Sequence, residues 1–254
     1  RSLLPQIEKI LPAQINHYYE PFLGGGAVFF HLRSRQTFRR ATLSDFNAEL
    51  IETYTALQNN PSAVISFLQN TSYDKDFFYK LRSTTPETPE GRAAKFIYLN
   101  KTCFNGLYRV NKSGKFNVPF GKYKNPTILD ATLLNSVHIA LQNVTLQASD
   151  FNLPLQAAQP GDFVYLDPPY IPLTKTSDFT SYTSQGFNLG QHERLRDTCR
   201  DLKKRGVAFL LSNSDTPTTR ELFQDFHFTV VQAGRSVGSK ASSRTIVSEL
   251  LIQG

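Results

Sequence analysis

The chain of 254 residues predicts an α/β fold, an open and mostly parallel sheet with helices on both faces. Three observations carry this. Short apolar runs alternate with longer runs of helical period, a glycine triplet joins the first strand to the first helix, and the most apolar strand ends on a carboxylate followed by two prolines. In chain order, Tyr18 to Phe22 reads as a strand, Leu23-Gly24-Gly25-Gly26 as a turn and Ala27 to Arg35 as a helix. A second strand, Ala41 to Ser44, ends on Asp45, and a helix begins near Asn47. Ala48 to Leu57 and Ser62 to Leu68 read as helices separated by Asn59-Asn60-Pro61. Tyr108 to Val118 alternates like two strands joined by a Lys-Ser-Gly turn. Val144 to Leu146 is a strand leading to Asp150-Phe151, and Gln159-Pro160-Gly161 enters the buried strand Asp162 to Leu166. A polar loop, Thr174 to Leu189, precedes a helix over Gln191 to Lys204, a strand over Val207 to Leu211, and a closing pair, Phe228 to Val231 with Thr245 to Leu251.

Charge divides the chain unevenly. The net charge is +7, yet Lys75 to Lys124 holds eleven Lys or Arg against three acids, a balance of +8 that leaves the remainder at −1. Ten aromatic residues, among them Phe78, Tyr98, Phe104 and Tyr123, are interleaved with these charges. Cations for phosphates together with rings for exposed bases are the composition of a nucleic-acid surface, with ordinary core aromatics under a solvated basic face as the competing account. A two-stranded ribbon over Tyr108 to Val118 would fit a major groove. Cys103 and Cys199 lie far apart without metal-site spacing, which predicts two reduced thiols and no metal. No run of about twenty apolar residues and no secretory signal is visible, so no membrane contact and a cytoplasmic location are expected.

The strongest chemical signal is Asp167-Pro168-Pro169-Tyr170. A strand end in an open α/β sheet is where ligands bind. Proline offers no N–H, and a carboxylate and a backbone carbonyl can both accept from a planar amino group while a tyrosine ring stacks on the ring that carries it. Such a constellation suits a nucleobase. At the other strand end, glycines let backbone approach a ligand, and an acid some twenty residues later accepts from ribose hydroxyls. Glu20, Phe22, Gly24, Gly26 and Asp45 therefore imply an adenosine-containing cofactor. For Asp45 alone, capping of the following helix is an equal alternative.

Glu20-Pro21-Phe22-Leu23-Gly24-Gly25-Gly26, Ser44-Asp45-Phe46-Asn47, Asn117-Val118-Pro119-Phe120-Gly121-Lys122-Tyr123, Asp167 to Tyr170 and Leu211-Ser212-Asn213, in this order, resemble the DNA adenine methylase (Dam) family. The order of parts looks like the alpha subgroup. The resemblance implies a Rossmann-like S-adenosylmethionine-dependent methyltransferase sheet with an inserted helical and β-hairpin target-recognition domain. It implies a catalytic domain of residues 1–58 and 142–254 around a DNA-recognition insertion of residues 59–141. It also implies methyl transfer to the 6-amino group of adenine in double-stranded DNA, with base flipping, by a monomer. Asp167, Pro168 and Tyr170 would be catalytic. Glu20, Phe22, Gly24, Gly26, Asp45, Asp150, Phe151 and Asp167 would hold the cofactor, Asp150 accepting from its adenine amino group and Phe151 packing on the ring. Asn105, Arg109, Lys112, Ser113, Lys115, Lys122, Tyr123, Lys124 and Arg244 would meet DNA.

Two departures from the family pattern stand out. Members open on a Trp-Ala-Gly-Gly-Lys segment, whereas this sequence opens at Arg1-Ser2-Leu3-Leu4-Pro5 and contains no methionine, so the natural N-terminus is expected to precede Arg1. GATC is the expected site, although Ser113 stands where some GATC readers carry an arginine. Two alternatives stay open: a DNA-binding regulatory module without catalysis, and a methyltransferase acting on another planar amide or amino group. Asp167 argues against a cytosine 4-amino target, for which Ser is usual at that position.

Overall fold

A computed structural model describes residues 3–111, 113–172, 187–236 and 244–254, with only the backbone described at 233–236 and 244–247. Strands β1 (His17–Glu20), β2 (Arg40–Asp45), β3 (Val144–Ala148), β4 (Phe163–Leu166), β5 (Ala208–Ser214), β6 (His227–Ser236) and β7 (Arg244–Gln253) form one sheet of order β3-β2-β1-β4-β5-β7-β6. The first five are parallel and the β6–β7 hairpin joins β5 antiparallel, so the expected α/β architecture holds and the sheet is Rossmann-like. Strand order reverses between β1 and β4, whose registers match Tyr18 to Phe163 and Tyr19 to Val164. Their carboxyl ends flank the switch point, where such sheets bind ligands.

Helices α1 (Leu4–Glu8), α2 (Ala27–Ser34), α3 (Ala48–Asn59), α4 (Pro61–Gln69), α5 (Lys75–Ser83), α6 (Pro89–Thr102), α7 (Ala131–Ala140), α8 (Leu189–Lys204) and α9 (Pro217–Leu222) complete the described elements. Helix α8 shows why the sheet's face is covered: Leu195, Cys199 and Leu202 recur on one side and lie fully buried with Val164, Leu166, Phe209 and Leu211. No helix among the described residues is long and apolar enough to cross a membrane.

The chain falls into two compact units. One runs to Phe46 and resumes at Asn143; the other is Asn47–Gln142. The first break precedes the 58/59 boundary that the resemblance implies, because α3 packs on α6 within the second unit. That unit is helical, and its core includes Leu57, Val64, Phe78, Ala94, Tyr98 and Leu99.

Three expectations need correction. β1 stops at Glu20 instead of Phe22, since Pro21 cannot donate to a ladder. The ribbon at Tyr108 to Val118 is not two strands but a single isolated antiparallel bridge, Val110 to Phe116. It closes on an Asx turn in which the Asn111 side-chain oxygen accepts from the Ser113 and Lys115 amides at 2.9 and 3.0 Å. Finally, the basic segment's rings are mostly core: Phe78 and Tyr98 are wholly buried, and of the ten only Phe104 and Tyr123 are exposed. The reason is the helical period of α5 and α6, which turns the rings inward and the cations outward.

Candidate active site

The turn after β1 is fixed by its own backbone. Gly24 and Gly26 have φ of 46° and 62°, the left-handed region that favours glycine. A side chain at Gly26 would strike the Phe30 ring at 2.9 Å, whereas one at Gly24 or Gly25 would enter open space, where a ligand could lie against bare backbone. Two contacts tie this turn to the end of β2, and a third ties the loop after β3 to the same end. The Leu23 amide donates to the Ser44 carbonyl at 3.0 Å, the Gly24 amide to the Asp45 carboxylate at 3.0 Å, and the Ser149 amide to the Asp45 carbonyl at 3.1 Å. Asp45 is not the cap of α3. Asn47 is, accepting from the Glu49 and Leu50 amides.

Glu20 ends β1 at 2% exposure, with one carboxylate oxygen accepting from the Tyr18 hydroxyl at 2.6 Å and the Phe29 amide at 3.0 Å. Burial pushes its pKa up to about 8, and the charge of Asp167 adds to this, while the hydrogen bonds from Tyr18 and Phe29 oppose it. Across the switch point, β4 is buried along its whole length and then delivers Asp167 to the surface while Pro168 turns inward.

Residues from β5 and β7 brace this turn. The Ser212 hydroxyl donates to Asp167 at 2.7 Å from a fully buried position. Asn213, also fully buried, accepts from the Ile171 amide at 3.0 Å and the Ser214 amide at 2.8 Å, and Ser214 donates to the Ile171 carbonyl at 2.6 Å. Tyr170 donates to the buried Glu249 at 3.1 Å, and burial and then the charge of Asp167 push its phenol pKa upward. Ser212 and Asn213 lie inside β5, which runs three residues past the strand end read from sequence. Their signal was the Leu211-Ser212-Asn213 motif, whereas nothing local marked Glu249.

The loop after β3 carries the remaining cofactor candidates. Phe151 is 5% exposed and stacks on Phe22 with ring centres 5.3 Å apart, while Phe187 meets both rings edge-on. Asp150 pairs with Arg194 of α8 at 3.1 Å, a residue that sequence reading missed among the charges of that helix. These residues supply the chemistry an adenosine group needs: packed aromatic rings, a carboxylate, and a glycine turn clear of side chains, all in one unit.

The DNA candidates lie mostly in the second unit. Asn105 and Arg109 are exposed, Asn105 with φ of 55° and Arg109 held by the Asn117 side chain at 2.8 Å. Ser113, Lys115, Lys122 and Lys124 are exposed as well. Tyr123 is pinned by its own hydroxyl to the Cys103 carbonyl at 2.9 Å and by its amide to the Tyr73 hydroxyl at 2.8 Å. Lys112 lies outside the described residues, and Arg244, whose backbone opens β7, has no described side chain.

A family model for D12 class N6 adenine-specific DNA methyltransferases matches residues 1–237. The Type II methyltransferase M1.LlaDCHI of Lactococcus lactis subsp. cremoris is 42% identical over 262 residues, covering 99% of this chain and 91% of that protein. The Type II methyltransferase M.MjaIII of Methanocaldococcus jannaschii is 41% identical, covering 99% and 94%. A DNA adenine methylase of Vibrio cholerae is 35% identical, covering 98% and 91%.

Proposed function

This chain belongs to the D12 class of N6 adenine-specific DNA methyltransferases, and from that premise we propose that it methylates the 6-amino group of a flipped adenine within GATC in duplex DNA, using S-adenosylmethionine. One observation carries the reading: Asp167 emerges from a buried strand at the switch point, braced by Ser212, beside the glycine turn of the neighbouring strand. When bound, S-adenosylmethionine supplies an electrophilic methyl group on its sulfonium.

The protein's own contribution is placement and charge. Asp45 and the Gly24 turn hold the ribose side, with Phe22 and Phe151 offering ring faces. Asp167 and the Pro168 carbonyl accept from the two hydrogens of the adenine amino group, drawing its lone pair out of conjugation with the ring. Tyr170 stacks on the extruded base, its hydroxyl tethered to Glu249 so that the ring is already oriented. A flipped base costs a few kcal/mol to extrude, and this stacking and hydrogen bonding offset it. Asp167 does not have to act as a full general base, because the amino group becomes acidic only as the methyl arrives.

The test is direct. Protein, S-adenosylmethionine and mixed-sequence duplex DNA are incubated, and modified bases are mapped with their flanks. N6-methyladenine confined to GATC is expected; methylated adenine in another context would replace the site, and unmodified DNA would return the reading to a DNA-binding module.

A further inference from the structure

We propose that Arg194 is a positioning residue for the cofactor's adenine, one that fixes Asp150 and Phe151 as a single recognition surface. The inference rests on the reading above in which those two residues receive the adenine. Arg194 reaches the Asp150 carboxylate with both terminal nitrogens, at 3.1 and 3.3 Å. The first of these nitrogens shares its oxygen with the Asn152 amide at 3.1 Å, and the second also donates to the Gln191 side chain at 2.7 Å. The guanidinium carbon lies 5.1 Å from the Phe151 ring centre, so one planar cation faces both the acid and the ring.

The arithmetic of donors gives this arrangement its meaning. Two carboxylate oxygens offer about four acceptor sites, and the N–H groups of Arg194 and Asn152 take three of them. Among the described residues the site left over belongs to the oxygen that Arg194 alone contacts, and its direction is set by the fork. A purine 6-amino group can use it as a donor; a 6-oxo group cannot. The pair itself adds little to folding, because its partners are 49% and 43% exposed and solvent screens an ion pair in such surroundings. An effect of Arg194 on ligand choice would thus separate from an effect on stability.

The experiment is calorimetry of S-adenosylhomocysteine and its inosine counterpart, which differs by a 6-oxo group, on wild type, Arg194→Ala, Arg194→Lys and Asp150→Asn. Arg194→Ala should weaken the adenosine ligand by about three- to tenfold, the cost of ordering one freed side chain. It should bring the preference over the inosine ligand close to that of Asp150→Asn, with DNA affinity and melting temperature held. Arg194→Lys keeps the charge without the fork and should fall between. Full preference in Arg194→Ala alongside lost preference in Asp150→Asn would overturn the role of Arg194 and leave the adenine site intact. Full preference in both variants would overturn the adenine site and the inference with it.

Discussion

The end of the sheet and the ribbon of the helical unit hold their candidate residues by opposite means. At the sheet, Asp167 is exposed but the groups beneath it, Ser212, Asn213 and Glu249, are buried and hydrogen-bonded. In the ribbon, Arg109, Ser113 and Lys115 are exposed, and their described support is one bridge, one Asx turn and the Asn117 side chain that holds Arg109. Chemistry at a fixed atom needs a rigid support, and a buried network supplies it. Reading a sequence needs cations and donors that adapt to a groove, and an exposed loop on a helical scaffold supplies those. The two regions should therefore fail in different ways.

The largest failure belongs to the sheet. Asp167→Ala should lower methyl transfer by about a hundredfold or more, the usual cost of one charge-stabilising contact at a reacting centre. DNA binding should survive, because the basic ribbon lies in the other unit. Rapid single-turnover methylation by this variant would remove Asp167 from the chemistry.

The next effect belongs to the ribbon. Neutralising Lys112 and Lys115 should relax the preferred site by about 1 to 3 kcal/mol for a lost base contact. Asn111→Ala should do the same without removing a charge, because it dissolves the turn that holds Ser113 and Lys115. Neutralising Lys122 and Lys124 should instead weaken all DNA alike and flatten the salt dependence by about one per charge. Ribbon variants that keep full discrimination while binding every duplex weakly would make the ribbon a phosphate clamp and blur the contrast between the regions.

A smaller effect returns to the support under Asp167. Ser212→Ala removes a hydrogen bond to a carboxylate, worth about 1.5 kcal/mol or roughly tenfold in rate. The loss should appear in the transfer step with site preference unchanged. Equal rates for the variant and the wild type would mean that Asp167 is oriented by other contacts.

How much of this was legible in the sequence differs by region for a physical reason. Asp167 and the Gly24 turn could be read because strand ends and left-handed turns are local, carried by a few adjacent residues. Ser212 and Asn213 fell beyond the apparent end of their strand, since an apolar run stops at Leu211 while the hydrogen-bonded ladder continues to Ser214. Glu249 and Arg194 gain their roles only through partners 79 and 44 residues away, which no local pattern announces. In the basic segment, composition pointed to a nucleic-acid partner but not to where most of the rings lie. Apart from Phe104 and Tyr123 the rings are buried or half-buried, and helical spacing, as in Phe78 with Leu81 or Ala94 with Tyr98, was the signal that sets them apart.

Glu20, the buried acid at the end of β1, feels the charge of Asp167 beyond the end of β4. Glu20 is 2% exposed, and burial raises its pKa from 4.5 to about 8 despite the hydrogen bonds from Tyr18 and Phe29. Below the unfolded value the group is protonated in both states. Between about 4.5 and 8 the folded chain keeps a proton that the unfolded chain has released, so the stability this group contributes is present at low pH and is lost as pH rises through that window. One proton sets a ceiling of about 1.4 kcal/mol per pH unit. Glu20→Gln cannot ionise and keeps the shape, so denaturant melts of both proteins from acid to alkaline pH isolate the group from every other titration. The stability of the wild type relative to the variant should decline steadily up to about pH 8. A constant difference would mean that Glu20 stays ionised when folded, held by the Tyr18 hydroxyl and the Phe29 amide, and that the charge of Asp167 across the switch point is not felt there.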